Sequence, residues 1–172
     1  MKPILCILLV ACCSLCGYMA SARLHRHVVL LQMLLQATER LQMHVAYFAD
    51  PVHTALQSLL QSEPKPIAHW YRQALALLAD GESVQAALRT SLQQLWETDS
   101  AFSALDASDV DALCQWAQGL GGDQATQQTA FAYIQKTLSH GIQTAAERQK
   151  QKAKLYRTSG VLCGLLLVVL FY

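Results

Sequence analysis

The residues of this chain with a capacity for chemistry are six cysteines, six histidines and a short run of carboxylates, Asp106, Asp109 and Asp111. Cys13-Ser14-Leu15-Cys16 has the C-x-x-C spacing of thiol–disulfide exchange or of half a zinc site. Both chemistries need a thiolate, and a thiolate needs a turn or helix start in a polar setting. This motif instead sits inside an apolar run, Pro3 to Ala22, where a thiol behaves as a small hydrophobe. Cys6, Cys12 and Cys163 also lie in apolar runs, so only Cys114 belongs to the middle of the chain. His25, His27, His44, His53, His69 and His140 are scattered, and none pairs with a Cys or carboxylate at a convincing metal-ligand spacing. His25 and His27 read as interfacial residues beside the first apolar run, and His44 and His53 as helix-surface or boundary residues. The aspartates lack the glycine and the bidentate glutamate of an EF-hand, so helix capping accounts for them better. No catalytic residue, cofactor or metal is expected.

Both ends of the chain bear on where these residues are held. A helix needs about 20 residues to cross a hydrocarbon core roughly 30 Å thick. Pro3 to Ala22 is long enough. Thr158 to Tyr172 is uncharged but shorter, and Lys154 and Arg157 extend it by burying their stems while their charges reach water. Segments 1–22 and 158–172 are therefore expected to be transmembrane helices. Arg23 and Arg26 follow the first, and Arg148, Lys150, Lys152, Lys154 and Arg157 precede the second, with only Lys2 on the far side. By the positive-inside rule, segment 23–157 is cytoplasmic and both termini face out. Two other readings of the N-terminus would export the middle: a signal-peptidase site at Ala20-Ser21-Ala22 or a lipobox at Leu9-Val10-Ala11-Cys12. The product would then be an exported, membrane-anchored sensor or interaction domain. A retained span fits better, because the chain stays apolar well beyond Cys12 and export would put the C-terminal basic block on the wrong side.

Segment 23–157 is long enough for one hydrophobic core and is rich in Ala, Leu and Gln with few β-branched residues, which favours helix. The net charge of +1 hides a polarity, since Glu39 to Lys136 holds eleven acidic and five basic residues. A body this acidic is a poor partner for nucleic acid.

Periodicity divides the segment into six helices. The first, about 23–49, places Leu30, Leu34, Ala37, Leu41, Val45 and Phe48 on one face, widened by Val28, Leu31 and Leu35. Asp50-Pro51 reads as an N-cap and first turn for a short second helix, and Glu63-Pro64-Lys65-Pro66 as a breaker. The third helix carries Ile67, Trp70, Ala74 and Leu77 and stops at Asp80-Gly81. Ser83 caps a fourth, with Val84, Leu88, Leu92 and Leu95, which fades at Thr98. Thr98 to Ala107 reads as the longest loop. Ser108 with Asp111 resembles a capping box for a fifth helix bearing Val110, Leu113 and Trp116, which ends at Gly119-Leu120-Gly121-Gly122. Asp123 caps the last helix, where Phe131, Ile134, Leu138, Ile142 and Ala145 repeat and only Gly141 interrupts. The expected fold is an all-α six-helix bundle flanked by N- and C-terminal transmembrane helices, its first and last helices continuous with the anchors.

Three stretches carry a family resemblance: Leu41-Gln42-Met43-His44-Val45-Ala46-Tyr47 followed by Asp50-Pro51-Val52-His53; Leu120-Gly121 with Asp123 and Gln127; and Lys154-Leu155-Tyr156-Arg157 leading into the glycine-spaced apolar end. In this order they resemble the stage III sporulation protein AB family over the whole chain. Cys163 stands where a small residue such as glycine is usual. The resemblance implies a role in endospore formation, in the mother-cell membrane facing the forespore, within a channel-like assembly related to secretion machines. It also implies a domain similar to the cytoplasmic domain of the F-type inner-membrane platform protein of type II secretion. By that analogy the chain is a non-enzymatic adaptor linking a secretion-type ATPase to membrane-embedded rings, with other membrane subunits of the channel and the lipid bilayer as further partners. A platform component outside sporulation would normally carry two such domains and more spans.

Two surfaces are candidates for these contacts. Glu97, Asp99, Asp106, Asp109 and Asp111 form an acidic stretch suited to a basic partner, although a solvated loop has the same composition. Either this stretch or the turn of Gly119, Gly121, Asp123 and Gln127 is the expected ATPase contact. Gly160 and Gly164 form a small-x-x-x-small face expected to pack on the first anchor or on a second copy in a homo-oligomer.

Overall fold

The structure, a computed structural model, describes residues 22, 24–48 and 50–171, the side chains of 47 and 152–171 lying outside that description. The described residues are helical, without strands: α1 (24–42), α2 (Val52–Leu59), α3 (Lys65–Ala79), α4 (Val84–Thr98), α5 (Ala107–Gly119) and α6 (Gln124–Phe171). They divide into two compact units, Val29–Ile142 and the flanking ends Met1–Val28 with Gln143–Tyr172. Among the described residues no helix is long and apolar enough to cross a membrane, and the two expected anchors fall on residues whose side chains lie almost wholly outside the description.

Within Val29–Ile142 the apolar stripes meet in one core. Leu31, Leu34 and Leu41 of α1, Trp70 and Tyr71 of α3, Leu88 and Leu92 of α4, Leu113 and Trp116 of α5, and Phe131 and Ile134 of α6 are buried. Each large side chain contributes roughly 1.5–3 kcal/mol by leaving water. Short connections make neighbours of consecutive helices, so α2 packs on α3, α3 on α4 and α4 on α5. The centre is aromatic. Trp70 lies 6.2 Å from Trp116 and 6.4 Å from Phe102, and Trp116 lies 5.8 Å from Phe131 edge-on. The indole N–H of Trp70 donates to Ser91 Oγ at 3.1 Å and to Leu88 O at 3.3 Å, which satisfies it inside the core.

Several ends differ from the sequence expectation, each for a local reason. The first helix does not continue as an α-helix to Ala49: Met43–Tyr47 is a π-helical turn, closed by Phe48 N–H to Met43 O at 3.4 Å. The wider π turn rotates the next residues away from the apolar face, and Phe48 is 64% exposed rather than in the stripe. Pro51, not Asp50, is the N-cap of α2. Asp50 Oδ2 instead meets His44 Nδ1 at 3.1 Å, while the Asp50 N–H donates to His44 O at 3.2 Å. Pro66 lies inside the first turn of α3, where a missing N–H costs nothing, so the break is confined to the residues before Lys65.

The segment from Thr98 to Ala107 is not an open loop. Phe102–Ala104 form a 3₁₀ turn in which Phe102 and Ala104 are buried, followed by buried Leu105, and the Trp96 indole N–H donates to Leu105 O at 3.2 Å. The capping box of α5 is Asp106 with Asp109, not Ser108 with Asp111. Ser83 accepts from Ala86 N at 3.3 Å and Asp123 accepts from Thr126 N at 3.3 Å, so both caps stand as expected.

One buried carboxylate was not expected. The side chain of Glu63 is 1% exposed, with Oε1 3.3 Å from Arg40 Nη1, whereas the Arg40 side chain is 43% exposed. Glu63 Oε2 has no hydrogen-bond partner among the described residues. Burial pushes this carboxyl above its ordinary pKa, and the Arg40 charge and hydrogen bond pull it only part of the way back.

Candidate functional site

The five acidic candidates gather around the α4–α5 junction, and three of them are occupied locally. Asp99 ends α4: its Oδ1 accepts from Ala101 N at 2.7 Å and its Oδ2 lies 3.2 Å from His69 Nδ1. Asp109 Oδ2 accepts from Asp106 N at 3.1 Å in the capping box. Glu97 and Asp111 are exposed. These two are thus the acids whose charge can be altered without removing a cap. Cys114, one turn along α5 from Asp111, is no activated thiol: burial pushes its pKa up, Arg89 opposes this, and the Asp111 charge adds to it.

Gly119, Gly121, Asp123 and Gln127 form one connected turn at the other end of α5. Gln127 Nε2 donates to Leu120 O at 3.0 Å and to Gly122 O at 3.2 Å, which satisfies the carbonyl of the α5 C-cap and one of the turn that follows it. Asp123 accepts from the Thr126 hydroxyl as well as from the Thr126 N–H, and these hydrogen bonds hold its carboxyl below the usual carboxylate range. The glycines permit close approach. A Cβ on Gly119 would collide with the Ala130 methyl, and one on Gly121 would meet Gln85, whose Cδ lies 2.5 Å away. Gly119, Ala125, Thr126, Ala130 and Tyr133 line an open, shallow groove between α5 and α6. The exposed Tyr133 hydroxyl donates to Gln115 Oε1 at its rim, at 3.0 Å.

The nine candidates within the helical bundle therefore fall into two groups rather than one surface. The acids stand at the start of α5 and the glycine turn at its end, about 20 Å apart for a helix of this length. Gly160 and Gly164 lie on the described backbone of α6, with their packing outside the description.

Sequence reasoning missed a third feature, at the α1–α2 corner. Met43 and Phe48 are exposed there, and the His44 ring stacks against Phe48 at 5.5 Å, tilted by 49°. Gln42 Oε1 accepts from Gln135 Nε2 at 2.6 Å, tying this corner to α6. The only sequence signal was Phe48 standing two residues before Asp50-Pro51, and the regular spacing up to Phe48 concealed it.

The chain matches the family model described as stage III sporulation protein AB over residues 2–172. It belongs to the stage III sporulation protein AB family. A curated relative, stage III sporulation protein AB of Bacillus subtilis (strain 168), is 28% identical over 142 residues, covering 81% of each chain. A solved structure titled stage III sporulation protein AB (SpoIIIAB) has a TM-score of 0.62 at 26% identity, covering 69% of this chain and 92% of the other. The stretches that carry the likeness to this stage III sporulation protein AB family have distinct places in the fold. The first contains the π turn and the His44–Asp50 contact, the second is the Gln127-closed turn, and the third lies in the C-terminal part of α6.

Proposed function

We propose that this chain is a non-enzymatic membrane adaptor of a sporulation complex, with a cytoplasmic helical bundle that links a secretion-type ATPase to membrane subunits in the mother-cell membrane. The observation that carries the reading is α6, a single helix from Gln124 to Phe171 whose first part supplies Phe131, Ile134 and Leu138 to the core and whose sequence ends in an uncharged apolar run. An element shared in this way suits a domain that passes force or position to a membrane rather than one that turns over a substrate. Glu97 and Asp111 are the acids best placed to meet a basic ATPase surface, since their charges are not engaged in caps.

Topology and copurification test this together. Paired reporters, one active only in the cytoplasm and one only outside, belong in the exposed Asp80–Glu82 turn, where Gly81 has a φ of +93° and nothing within 4 Å of an added Cβ. Cytoplasmic activity with an intact N-terminus by mass is expected. The doubly reversed variant Glu97→Lys/Asp111→Lys should then lose copurification with the ATPase. External activity, with cleavage after Ala22 or at Cys12, would overturn the adaptor reading, and undiminished copurification would remove the acidic surface from it.

A further inference from the structure

Positions 148, 150, 152, 154 and 157 are Arg, Lys, Lys, Lys and Arg, with Glu147 the last acid before the chain's apolar end. All five lie within α6. At about 100° per residue, positions 148 and 152 fall on one side of the helix and 150, 154 and 157 on roughly the opposite side. The five positions thus fall on two opposite sides of the helix rather than on one face. Arg148 and Lys150, whose side chains are described, are exposed. At the same level Gln149 Nε2 donates to His25 Nδ1 at 3.4 Å, and the exposed Arg26 follows His25 in α1. A protein partner docked on a helix reads one face. A layer that meets the helix on both sides and carries negative charge throughout matches cations on opposite sides.

We propose that this two-sided basic stretch, with Arg26, is a binding collar for anionic phospholipid headgroups, selecting phosphate-rich, net-negative lipid around the membrane end of α6. The proposal rests on the membrane-anchored reading above. Clustered Lys and Arg beside a span attract anionic headgroups within a Debye length, each adding to the attraction. Gln149, Gln151 and Ala153 separate the cations without neutralising them, so no acid within the stretch competes with lipid phosphate.

The experiment uses the full chain in phosphatidylcholine vesicles containing a minor fraction of phosphatidylglycerol. Spin-labelled forms of the two lipids report the relative association of each with the protein, and carbonate extraction reports whether the protein is embedded. The expected result is a preference for phosphatidylglycerol of about threefold or more, falling towards parity in 1 M salt and unaffected by millimolar inorganic phosphate. The preference should disappear in Arg148→Gln/Lys150→Gln/Lys152→Gln/Lys154→Gln and persist in the charge-keeping variant Arg148→Lys/Lys150→Arg/Lys152→Arg/Lys154→Arg. Equal association of both lipids with an embedded wild-type chain would overturn the collar and leave anchoring intact. If carbonate releases the chain, anchoring fails. Sedimentation with phosphatidylglycerol vesicles then decides the collar, which stands if the chain pellets with them and not with phosphatidylcholine, and falls otherwise.

Discussion

Gly119 of α5 and Ala130 of α6 face each other so closely that a single added Cβ at position 119 would collide with the Ala130 methyl. The hydrogen at Gly119 therefore sets the separation of the two helices beneath the shallow groove. Gly119→Ala gains about 0.5–1 kcal/mol of helix propensity but loses about 1–3 kcal/mol to overpacking, so net destabilisation is expected. Gly119→Ala/Ala130→Gly exchanges the two groups across the contact. A double-mutant cycle by thermal or urea unfolding should give a favourable coupling of about 1 kcal/mol or more, and additivity would show that the helices separate freely.

Arg40 and Glu63 are expected to respond unequally to mutation. Removing Arg40 leaves a buried carboxylate without its counter-charge, whereas Glu63→Gln removes the charge itself. Arg40→Ala should cost about 1–3 kcal/mol at pH 7, while Glu63→Gln should stay within about 1 kcal/mol of wild type.

The same pair gives a pH dependence with a definite sign. Because burial raises the folded-state pKa of Glu63, the folded chain keeps a proton that the unfolded chain has already lost. Stability therefore falls as pH climbs from the ordinary carboxylate value, about 4, through the raised one, and below both values the group is neutral to stability. Melting curves at intervals from acid to neutral pH should show wild type losing ground to Glu63→Gln across that window. A pH-independent difference would mean that Glu63 is not strained by burial.

Asp123 should behave in the opposite sense. Its folded-state pKa lies below the unfolded one, so its stabilising contribution is full at neutral pH and disappears as pH falls through the folded value. Asp123→Ala should melt below wild type at pH 7, and the gap should close progressively in acid. Gln127→Ala, which removes uncharged bonds to Leu120 O and Gly122 O, should melt lower by an amount that does not change with pH.

These contacts show which parts of the fold were legible in the sequence. The stripes of α3, α4 and α6 were, because Trp70, Leu88, Leu92, Phe131 and Ile134 repeat with the helical period and bury as that period demands. The caps at Ser83 and Asp123 were too, since their signal is local. The π turn was not: its inserted residue shifts the register only after Met43, and the apolar spacing continues undisturbed through it. Nor was the burial of Glu63, which depends on Arg40, distant in sequence, and an isolated carboxylate reads as solvated. The acidic stretch was legible only in part: capping was expected of its aspartates, but not which of them cap. Composition counts charges without showing that Asp99, Asp106 and Asp109 are engaged in ending one helix and starting the next.

Phe102 turns that last point into a test of where the chain tolerates change. Thr98 to Ala107 has the polar, helix-free composition of an insertion site, yet Phe102 is fully buried beside Trp70, and Leu105 closes the turn under Trp96. Phe102→Ala should cost about 3–5 kcal/mol, the usual range for emptying a large aromatic site. An insertion between Phe102 and Leu105 would cost at least as much, because it displaces both side chains and breaks the Trp96 hydrogen bond. The same insertion after Gly81, in an exposed turn with open space around it, should leave the melting temperature within a few degrees of wild type. Equal tolerance at the two sites would mean that the 3₁₀ turn contributes nothing to the core. Unequal tolerance, with loss of cooperative melting only for the Phe102 insertion, would place the turn within the core that joins α4 to α5.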